Sequence, residues 1–287
     1  MSTLFGAPSG DEGQVVALGV AFAHGAARGG GVLHAPSTLR GLTASERLSE
    51  GILDYATDAL VLSSLRLSDL GDLVHRASWP HRDFFDLVEA TAVTLARQGK
   101  VVLGLGGDHA VSLPLARGVA RAIGGLQVLQ LDAHHDLAPL RPDSLPTHSN
   151  FVSFLARCPE VERVVQVGVR GYSSLRPEPT PGVVRSTVAG LAEALAPGVP
   201  VYLTVDSDAF DPSVLPAVRH PLPEGLTLGD LDRVLETVRR LDLPLVGADW
   251  TEYDVDLDPI TLRSGQVVVF GLVRLLAALQ RQLEGAG

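Results

Sequence analysis

The stretch VVLGLGGDHAVSLPLARGVARAIGGLQVLQLDAHHD, residues 101–136, decides the fold. It begins with an apolar run at 101–105 and ends with a second run at 127–131, and apolar residues recur at helical spacing across 112–123 between them. A strand, a helix and a second strand in this order predict a βαβ unit with a right-handed crossover. Both runs are continuous rather than alternating, which indicates strands of a parallel sheet covered on both faces.

The same pattern extends along the chain. Further runs rich in valine and leucine predict buried parallel strands at 15–20, 59–62, 163–169, 201–205 and 245–248. Helical spacing recurs at 84–97, 228–241 and 271–283. We predict one α/β domain over residues 1–287 and leave open whether residues 1–13 are disordered. The longest apolar stretch, 267–279, contains Arg274 and is predicted to be a buried C-terminal helix rather than a membrane span.

The composition limits the classes of partner. Hydrophobic residues make up 46% and charged residues 20% of the chain, a balance that supports a buried core. The formal net charge is -10 and no basic run occurs, so we expect neither a nucleic acid nor an anionic membrane as partner. With Cys158 as its single cysteine and no signal-peptide pattern at the start of the sequence, the protein is expected to be cytoplasmic.

Three clusters of acidic and histidine residues directly follow predicted strands. They are GGDH at 106–109, DAHHD at 132–136 and DSD at 206–208. Ligands of open parallel sheets bind outside the carboxyl ends of the strands, so we expect the three clusters to lie close together. Alternate positions in extended backbone would place Asp132, His134 and Asp136 on one side of the chain.

So many buried acids require positive charge. Four aspartates carry four negative charges, which two divalent cations would neutralise. Carboxylate and imidazole donors without a thiolate favour Mn²⁺, and we predict two such ions per chain. A water molecule held between two cations loses a proton near neutral pH, so the predicted reaction is a hydrolysis by a metal-bridging hydroxide. The predicted metal ligands are His109, Asp132, His134, Asp136, Asp206 and Asp208.

These motifs carry a family resemblance. The segments 106–109, 132–136 and DSDAFDP at 206–212, in this order, resemble the signatures of the ureohydrolase family of arginase, agmatinase and formiminoglutamase, and DLGD at 69–72 resembles its second-strand motif. The resemblance implies an arginase-like three-layer α/β/α sandwich with a mainly parallel sheet of about eight strands. It also implies a homo-trimer or hexamer.

The resemblance further implies a role for each site residue. Asp132 and Asp206 would bridge the two manganese ions, while His109 and Asp136 complete one ion and His134 and Asp208 complete the other. His148 and Asp136 would be the catalytic residues, His148 as the histidine that moves a proton to the leaving amine. Glu252 would bind the guanidinium group of the substrate.

The residues expected to contact the substrate resemble the family less closely than the predicted metal ligands do. Gly171 and Ala138 stand where arginases place residues that read the amino-acid end of arginine, so arginine is disfavoured. The resemblance therefore favours an agmatinase-like hydrolase that splits a small cationic guanidino or amidine compound, either agmatine-like or a guanidino acid, into urea and an amine. Arg219, if it faces the mouth of the site, would favour a carboxylate tail; otherwise it is a solvated loop arginine.

Three alternatives stay open. A formiminoglutamase-type hydrolase would use the same metal centre on a different amidine. A zinc amide deacetylase would need only one metal ion. A non-catalytic relative would bind metal without turnover. Metal content and urea release distinguish these hypotheses.

Overall fold

Eight parallel strands form the central sheet of the part of the chain that the structure describes. The computed structural model describes residues 2–23, 30–45, 51–55, 59–76, 78–172, 179–258 and 260–285. In chain order the strands are β1 (Val15–Ala21), β2 (Ile52–Asp54), β3 (Ala59–Val61), β4 (Leu67–Val74), β5 (Val101–Gly106), β6 (Leu126–Leu131), β7 (Val161–Val167), β8 (Val183–Ser186), β9 (Val201–Asp206) and β10 (Leu245–Thr251). The order across the central sheet is β4-β1-β5-β10-β9-β6-β7-β8, while β2 and β3 pair separately.

Helices cover both faces of this sheet. They are α1 (Ala35–Leu42), α2 (His81–Arg97), α3 (Ser112–Ile123), α4 (Phe151–Leu155), α5 (Leu191–Ala194), α6 (Leu228–Arg240) and α7 (Arg263–Gly285). The apolar residues of α2, α3 and α4 form one buried cluster with the sheet. Those of α1, α6 and α7 form a second cluster on the other face. The predicted three-layer α/β/α sandwich with an eight-stranded parallel sheet is therefore confirmed.

Two strands show where apolar runs mislead. The run at 59–62 was predicted to be a buried parallel strand, and this was wrong: β3 pairs antiparallel with β2 outside the central sheet. Strand propensity alone does not say which sheet a strand joins. Strand β4 was expected from the family resemblance only, because it is an edge strand whose second half alternates between exposed and half-buried residues.

The first residues pack onto the edge of the sheet. Leu4 and Phe5 are buried, and the amide of Leu4 donates to Asp69 at 2.8 Å. Arg40 of α1 donates through Nε to the same carboxylate at 2.7 Å, so α1, β4 and the N-terminal segment share one buried ion pair. The sequence left open whether residues 1–13 are ordered, and residues 2–13 are part of the described structure.

Helix α7 is long and apolar enough, by length and composition alone, to cross a membrane. Its apolar side, including Val268, Leu272 and Leu275, is buried in the core on one face of the sheet. Arg274 on its outer side lies 2.9 Å from Asp232 of α6. The helix is thus the buried C-terminal helix that the sequence predicted.

The strand order determines where the site lies. Strands β5, β10, β9 and β6 are consecutive neighbours at the centre of the sheet and run in the same direction. Their carboxyl ends therefore meet at one edge, where the segments that follow them converge.

Candidate metal centre

The first group of polar side chains surrounds His109, which is fully buried just after β5. Its Nδ1 atom lies 3.1 Å from Asp132 Oδ2, 3.0 Å from Asp206 Oδ2 and 3.4 Å from Asp136 Oδ2. His109, Asp132 and Asp206 together offer three atoms that one metal ion could reach. Asp136 lies beside this group.

The second group lies on the other side of Asp132. His134 Nδ1 is 2.9 Å from Asp208 Oδ2 and 3.7 Å from Asp132 Oδ1. Asp132, His134 and Asp208 can hold a second ion. Asp132 thus offers one oxygen to each group, as expected of a bridging ligand. Asp206 belongs only to the first group, so its bridging role stays a prediction.

The donor set fits a pair of divalent cations. His109 Nδ1 is buried, lies within 3.4 Å of three carboxylates and has no hydrogen-bond partner among the described residues, which is typical of a nitrogen that binds a metal ion. The two groups combine imidazole nitrogens with carboxylate oxygens and contain no thiolate. This ligand chemistry suits Mn²⁺, Zn²⁺ and related ions.

The electrostatics of the cluster point the same way. Burial, and next the neighbouring carboxylates, raise the pKa of Asp136 and of Asp206 well above its ordinary value. The hydrogen bond with Asp208 raises the pKa of His134 to about 9. Buried carboxyl groups that lie close together resist ionisation, and nearby imidazoles stay protonated, unless cations compensate the negative charge. Binding of divalent cations would therefore release protons from the site.

A row of buried polar residues crosses the sheet beneath the ligands. Gln130 of β6 lies opposite Gln166 of β7 on one side and opposite Thr204 of β9 on the other, and Thr204 lies opposite Asp249 of β10. All four are fully buried. Partners in a parallel register point to the same face, so these side chains form one layer, which we call the polar row.

The polar row holds the ligands through direct hydrogen bonds. Thr204 Oγ1 lies 2.9 Å from His109 Nε2 and donates to Asp249 Oδ1 at 2.7 Å. The threonine hydrogen is thereby used, so its oxygen accepts from His109 Nε2 and leaves Nδ1 free to bind metal. Gln130 Nε2 donates to Asp132 Oδ2 at 2.6 Å. Gln166 Nε2 in turn donates to Gln130 Oε1 at 2.7 Å.

Asp249 accepts three hydrogen bonds from hydroxyl groups. Besides Thr204, it accepts from Tyr202 at 2.7 Å and from Ser112 at 2.9 Å. Both of these donors are fully buried. A carboxylate with three hydroxyl donors holds a fixed orientation, and it passes this orientation to His109 through Thr204.

Arg170 holds the loop that carries the ligands after β9. Its guanidinium donates to the carbonyl of Asp208 at 2.9 Å and to those of Leu222 at 2.7 Å and Pro223 at 2.9 Å. The amide of Ala133 donates to Asp208 Oδ1 at 3.1 Å, which links this loop to the one after β6. The two ligand-bearing loops therefore support each other.

Glu252 stands beside the metal groups. Its Oε1 accepts the amide hydrogen of His109 at 2.8 Å, and its own amide donates to the carbonyl of Gly107 at 3.0 Å. Burial, and next the charge of Asp108, raise the pKa of Glu252 to about 8. Glu252 and Asp136 adopt positive φ angles, 59° and 49°, which cost about 1–3 kcal/mol for residues other than glycine. Such strained backbone is typical of functional sites.

His148 lines the same cavity from the loop before α4. Its Nδ1 atom is buried and has no hydrogen-bond partner in the part of the chain that the structure describes. Burial, and next the proximity of His220, lower the pKa of His148 below its ordinary value, so the ring is neutral at neutral pH. The structure thus places a neutral imidazole in the cavity that contains the predicted ligands.

The cavity has a volume of about 580 Å³. Four of the six predicted ligands, His134, Asp136, Asp206 and Asp208, line it together with Glu252, and we call this part the inner end. We call the rest of the lining the outer end, which includes Arg185, Arg219 and His135. Ala138 and Gly171 also line the cavity, as the sequence suggested for residues that contact the substrate.

Sequence reasoning missed the polar row and Arg185. The available signal was local: Gln130, Thr204 and Asp249 interrupt otherwise apolar strands, and the first two lie two residues before a predicted ligand. Alternation along a strand places such residues on the same face as that ligand. Arg185 lies on the short edge strand β8, which has no apolar run to mark it.

Known proteins match this chain over most of its length. The family model of the arginase family matches residues 13–273. An agmatinase of Neisseria meningitidis is 34% identical over 76% of this chain and 73% of its own length. The N(1)-aminopropylagmatine ureohydrolase of Thermus thermophilus is 37% identical over 58% of this chain and 59% of its own length.

Solved structures show the same fold. The proclavaminate amidino hydrolase of Streptomyces clavuligerus superposes with a TM-score of 0.83 at 22% identity and covers 98% of both chains. The formimidoylglutamase of Bacillus subtilis superposes with a TM-score of 0.81 at 21% identity, over 97% of this chain and 92% of its own. With the family match and the agmatinase relatives, the protein belongs to the arginase family and is a hydrolase of guanidino carbon–nitrogen bonds.

Proposed function

We propose that the protein is a binuclear manganese hydrolase that splits a guanidino compound into urea and an amine. The observation that carries this proposal is the position of Asp132, whose two oxygens face two separate groups of ligands. Two cations bound there would lower the pKa of a water molecule and supply a nucleophile at neutral pH. The proposed ligands are His109, Asp132, His134, Asp136, Asp206 and Asp208.

The remaining residues would bind the substrate and move protons. Glu252 is held at the inner end by the amide of His109, so its second oxygen is available to pair with a planar guanidinium. His148 is neutral and its Nδ1 atom has no hydrogen-bond partner among the described residues. It would take up the proton that the attacking water loses and pass it to the leaving amine. Asp136, beside His109, would complete the catalytic residues.

Further parts of the proposal concern the whole protein. We propose a single domain over residues 1–287, a cytoplasmic location and assembly into a homo-trimer or hexamer. The continuous central sheet supports the first of these, and the negative net charge of -10 is consistent with a small cationic guanidino or amidine substrate rather than a nucleic acid.

Urea release is the direct test. The protein is incubated with Mn²⁺ and assayed with agmatine, guanidinobutyrate, guanidinopropionate, arginine and formiminoglutamate, and its metal content is measured. We expect about two manganese ions per chain, as two ligand groups require, and urea from at least one alkylguanidine. A single tightly held zinc ion would contradict the binuclear site, and a fully loaded protein that releases neither urea nor formamide would contradict the catalytic function.

A further inference from the structure

The two ends of the cavity carry opposite charge. Within the described lining, the carboxylates are Asp136, Asp206, Asp208 and Glu252, and all of them belong to the inner end. The outer end contributes the guanidinium groups of Arg185 and Arg219. A substrate that enters with its guanidinium group first would therefore leave its tail among cations.

The arginines that line the cavity differ in how their charge is used. The guanidinium of Arg170 donates hydrogen bonds to backbone carbonyls. Arg219 pairs through Nε with the buried carboxylate of Asp254. Arg185 makes no ion pair or side-chain hydrogen bond with any residue that the structure describes, and it is exposed. Its guanidinium therefore keeps both its charge and its donors for a ligand.

The fold places Arg185 at a suitable distance from the metal groups. Arg185 of β8 lies opposite Gln166 of β7, and Gln166 lies opposite Gln130 of β6, two residues before Asp132. Arg185 thus continues the polar row to the edge of the sheet and shares its face. Two strand spacings separate β6 from β8, about 10 Å. A short alkyl chain together with the long arginine side chain covers this span.

His135 adds a hydrogen-bond donor at the same end. Its Nδ1 atom accepts the amide hydrogen of Leu137 at 3.0 Å, so the ring hydrogen is on Nε2. His135 therefore offers an Nε2–H group at the end of the cavity that also contains the guanidinium groups of Arg185 and Arg219.

We propose that Arg185 binds a carboxylate at the tail of the substrate, and that the enzyme accordingly prefers an ω-guanidino carboxylate to an alkylguanidine with a terminal amine. The inference rests on the proposed ureohydrolase function and specifies its substrate class. Two parallel N–H groups of an arginine guanidinium match the two oxygens of a carboxylate in geometry as well as in charge. A terminal ammonium would instead meet a like charge, with no carboxylate in the described lining of the outer end to pair with it.

Guanidinobutyrate and agmatine test the proposal directly, because they have the same number of carbon atoms and differ only in the tail group. We would measure kcat/KM for both with the Mn²⁺-loaded wild type and with Arg185→Gln, Arg185→Glu and Arg66→Gln. Arg66 is the control, an exposed arginine next to β4, the opposite edge strand of the sheet. Calorimetry on the same proteins gives the affinity for each compound independently of turnover.

We expect the wild type to prefer guanidinobutyrate, and Arg185→Gln to reduce this preference by about 10- to 100-fold, mainly through KM. Arg185→Glu should favour agmatine, and Arg66→Gln should behave as wild type. Because Arg185 is exposed, the preference should also shrink in ~1 M salt, where the Debye length is about 3 Å.

The outcomes separate this inference from the proposed function. Urea formation with a preference that Arg185→Gln leaves unchanged would overturn the role of Arg185 and leave the ureohydrolase function intact. Conversely, tighter calorimetric binding of guanidinobutyrate that depends on Arg185, without urea from either compound, would support the carboxylate site and contradict the hydrolase. Equal binding of both compounds to wild type and variant would overturn the inference in either case.

Discussion

The inner and outer ends of the cavity are built in different ways. At the metal centre three of the six proposed ligands are held by further buried groups: Thr204 fixes His109, Gln130 fixes Asp132, and Ala133 fixes Asp208. At the outer end, Arg185 projects from an edge strand and is exposed. The chemistry of the reaction is thus built into the core of the sheet, whereas the choice of substrate depends on side chains at its rim.

This difference separates two kinds of mutational effect. Changes at the inner end should alter metal binding and rate together, because the ligands and the polar row form one hydrogen-bonded network. Changes at the outer end should alter the preference among substrates and leave the metals in place. Any substitution at the outer end that changes both the metal content and the substrate preference would argue against this separation.

Asp132→Ala should have the largest effect, because Asp132 contributes to both ligand groups. We expect loss of both metal ions and a fall in urea release of more than about a thousandfold, beyond the loss of a single electrostatic contact. The melting temperature should also stop rising on addition of Mn²⁺, since an ion that binds the native state adds to its stability. Metal analysis and thermal unfolding measure these effects, with Asp143→Ala, an exposed loop acid, as the control. Retention of two ions would exclude Asp132 as the bridge.

His148→Ala tests whether proton transfer can be separated from metal binding. General acid–base catalysis typically contributes about 10²–10⁴-fold, so we expect a loss of that size in kcat with the manganese content unchanged. Steady-state kinetics and metal analysis of the same sample check both parts. The control is His34→Ala, an exposed histidine before α1. Unchanged turnover would remove His148 from the mechanism.

The sequence predicts the inner end far better than the outer end, for a physical reason. The apolar runs and the Asp-x-His-x-Asp spacing are local patterns, and the parallel sheet brings their ends together without further information. The partners of the polar row are remote in sequence: Thr204 contacts Asp249, and Gln130 contacts Gln166. A lone polar residue in a strand does not show which residue it pairs with. The structure was needed to see that these residues form one layer.

Asp249→Asn should weaken metal binding without changing any ligand. An asparagine oxygen would still accept from Thr204 and Ser112, which share Oδ1 of Asp249, and its amide would face Tyr202. The negative charge behind Thr204 and His109 would be lost, which makes His109 a weaker donor to a metal ion. We expect Mn²⁺ affinity to fall about 10- to 100-fold, as for other changes behind a metal ligand. Calorimetric Mn²⁺ titration measures this fall.

Three further variants separate the orientation of the ligands from the stability of the fold. Thr204→Ser keeps the hydroxyl group and should retain metal affinity, whereas Thr204→Val should resemble Asp249→Asn. Gln127→Leu removes a buried polar side chain that bonds to Ala196 at the opposite end of β6, so it should lower stability and leave Mn²⁺ affinity intact. If all these variants lost affinity in proportion to their stability, the polar row would have only a structural role.

Arg219→Gln should have the smallest effect on function, although the sequence made Arg219 the candidate for reading a carboxylate tail. The side chain does line the cavity, but its charge is paired with Asp254, which is fully buried. Removing it leaves that carboxylate with only part of its partners, so we expect a stability loss of about 1–3 kcal/mol. The ratio of kcat/KM between guanidinobutyrate and agmatine should change by less than about twofold, because a paired charge discriminates little between tails. Denaturant unfolding and the two-substrate assay measure these effects side by side with Arg185→Gln. A large change in the ratio for Arg219→Gln and none for Arg185→Gln would move the carboxylate site from the edge strand to the loop after β9.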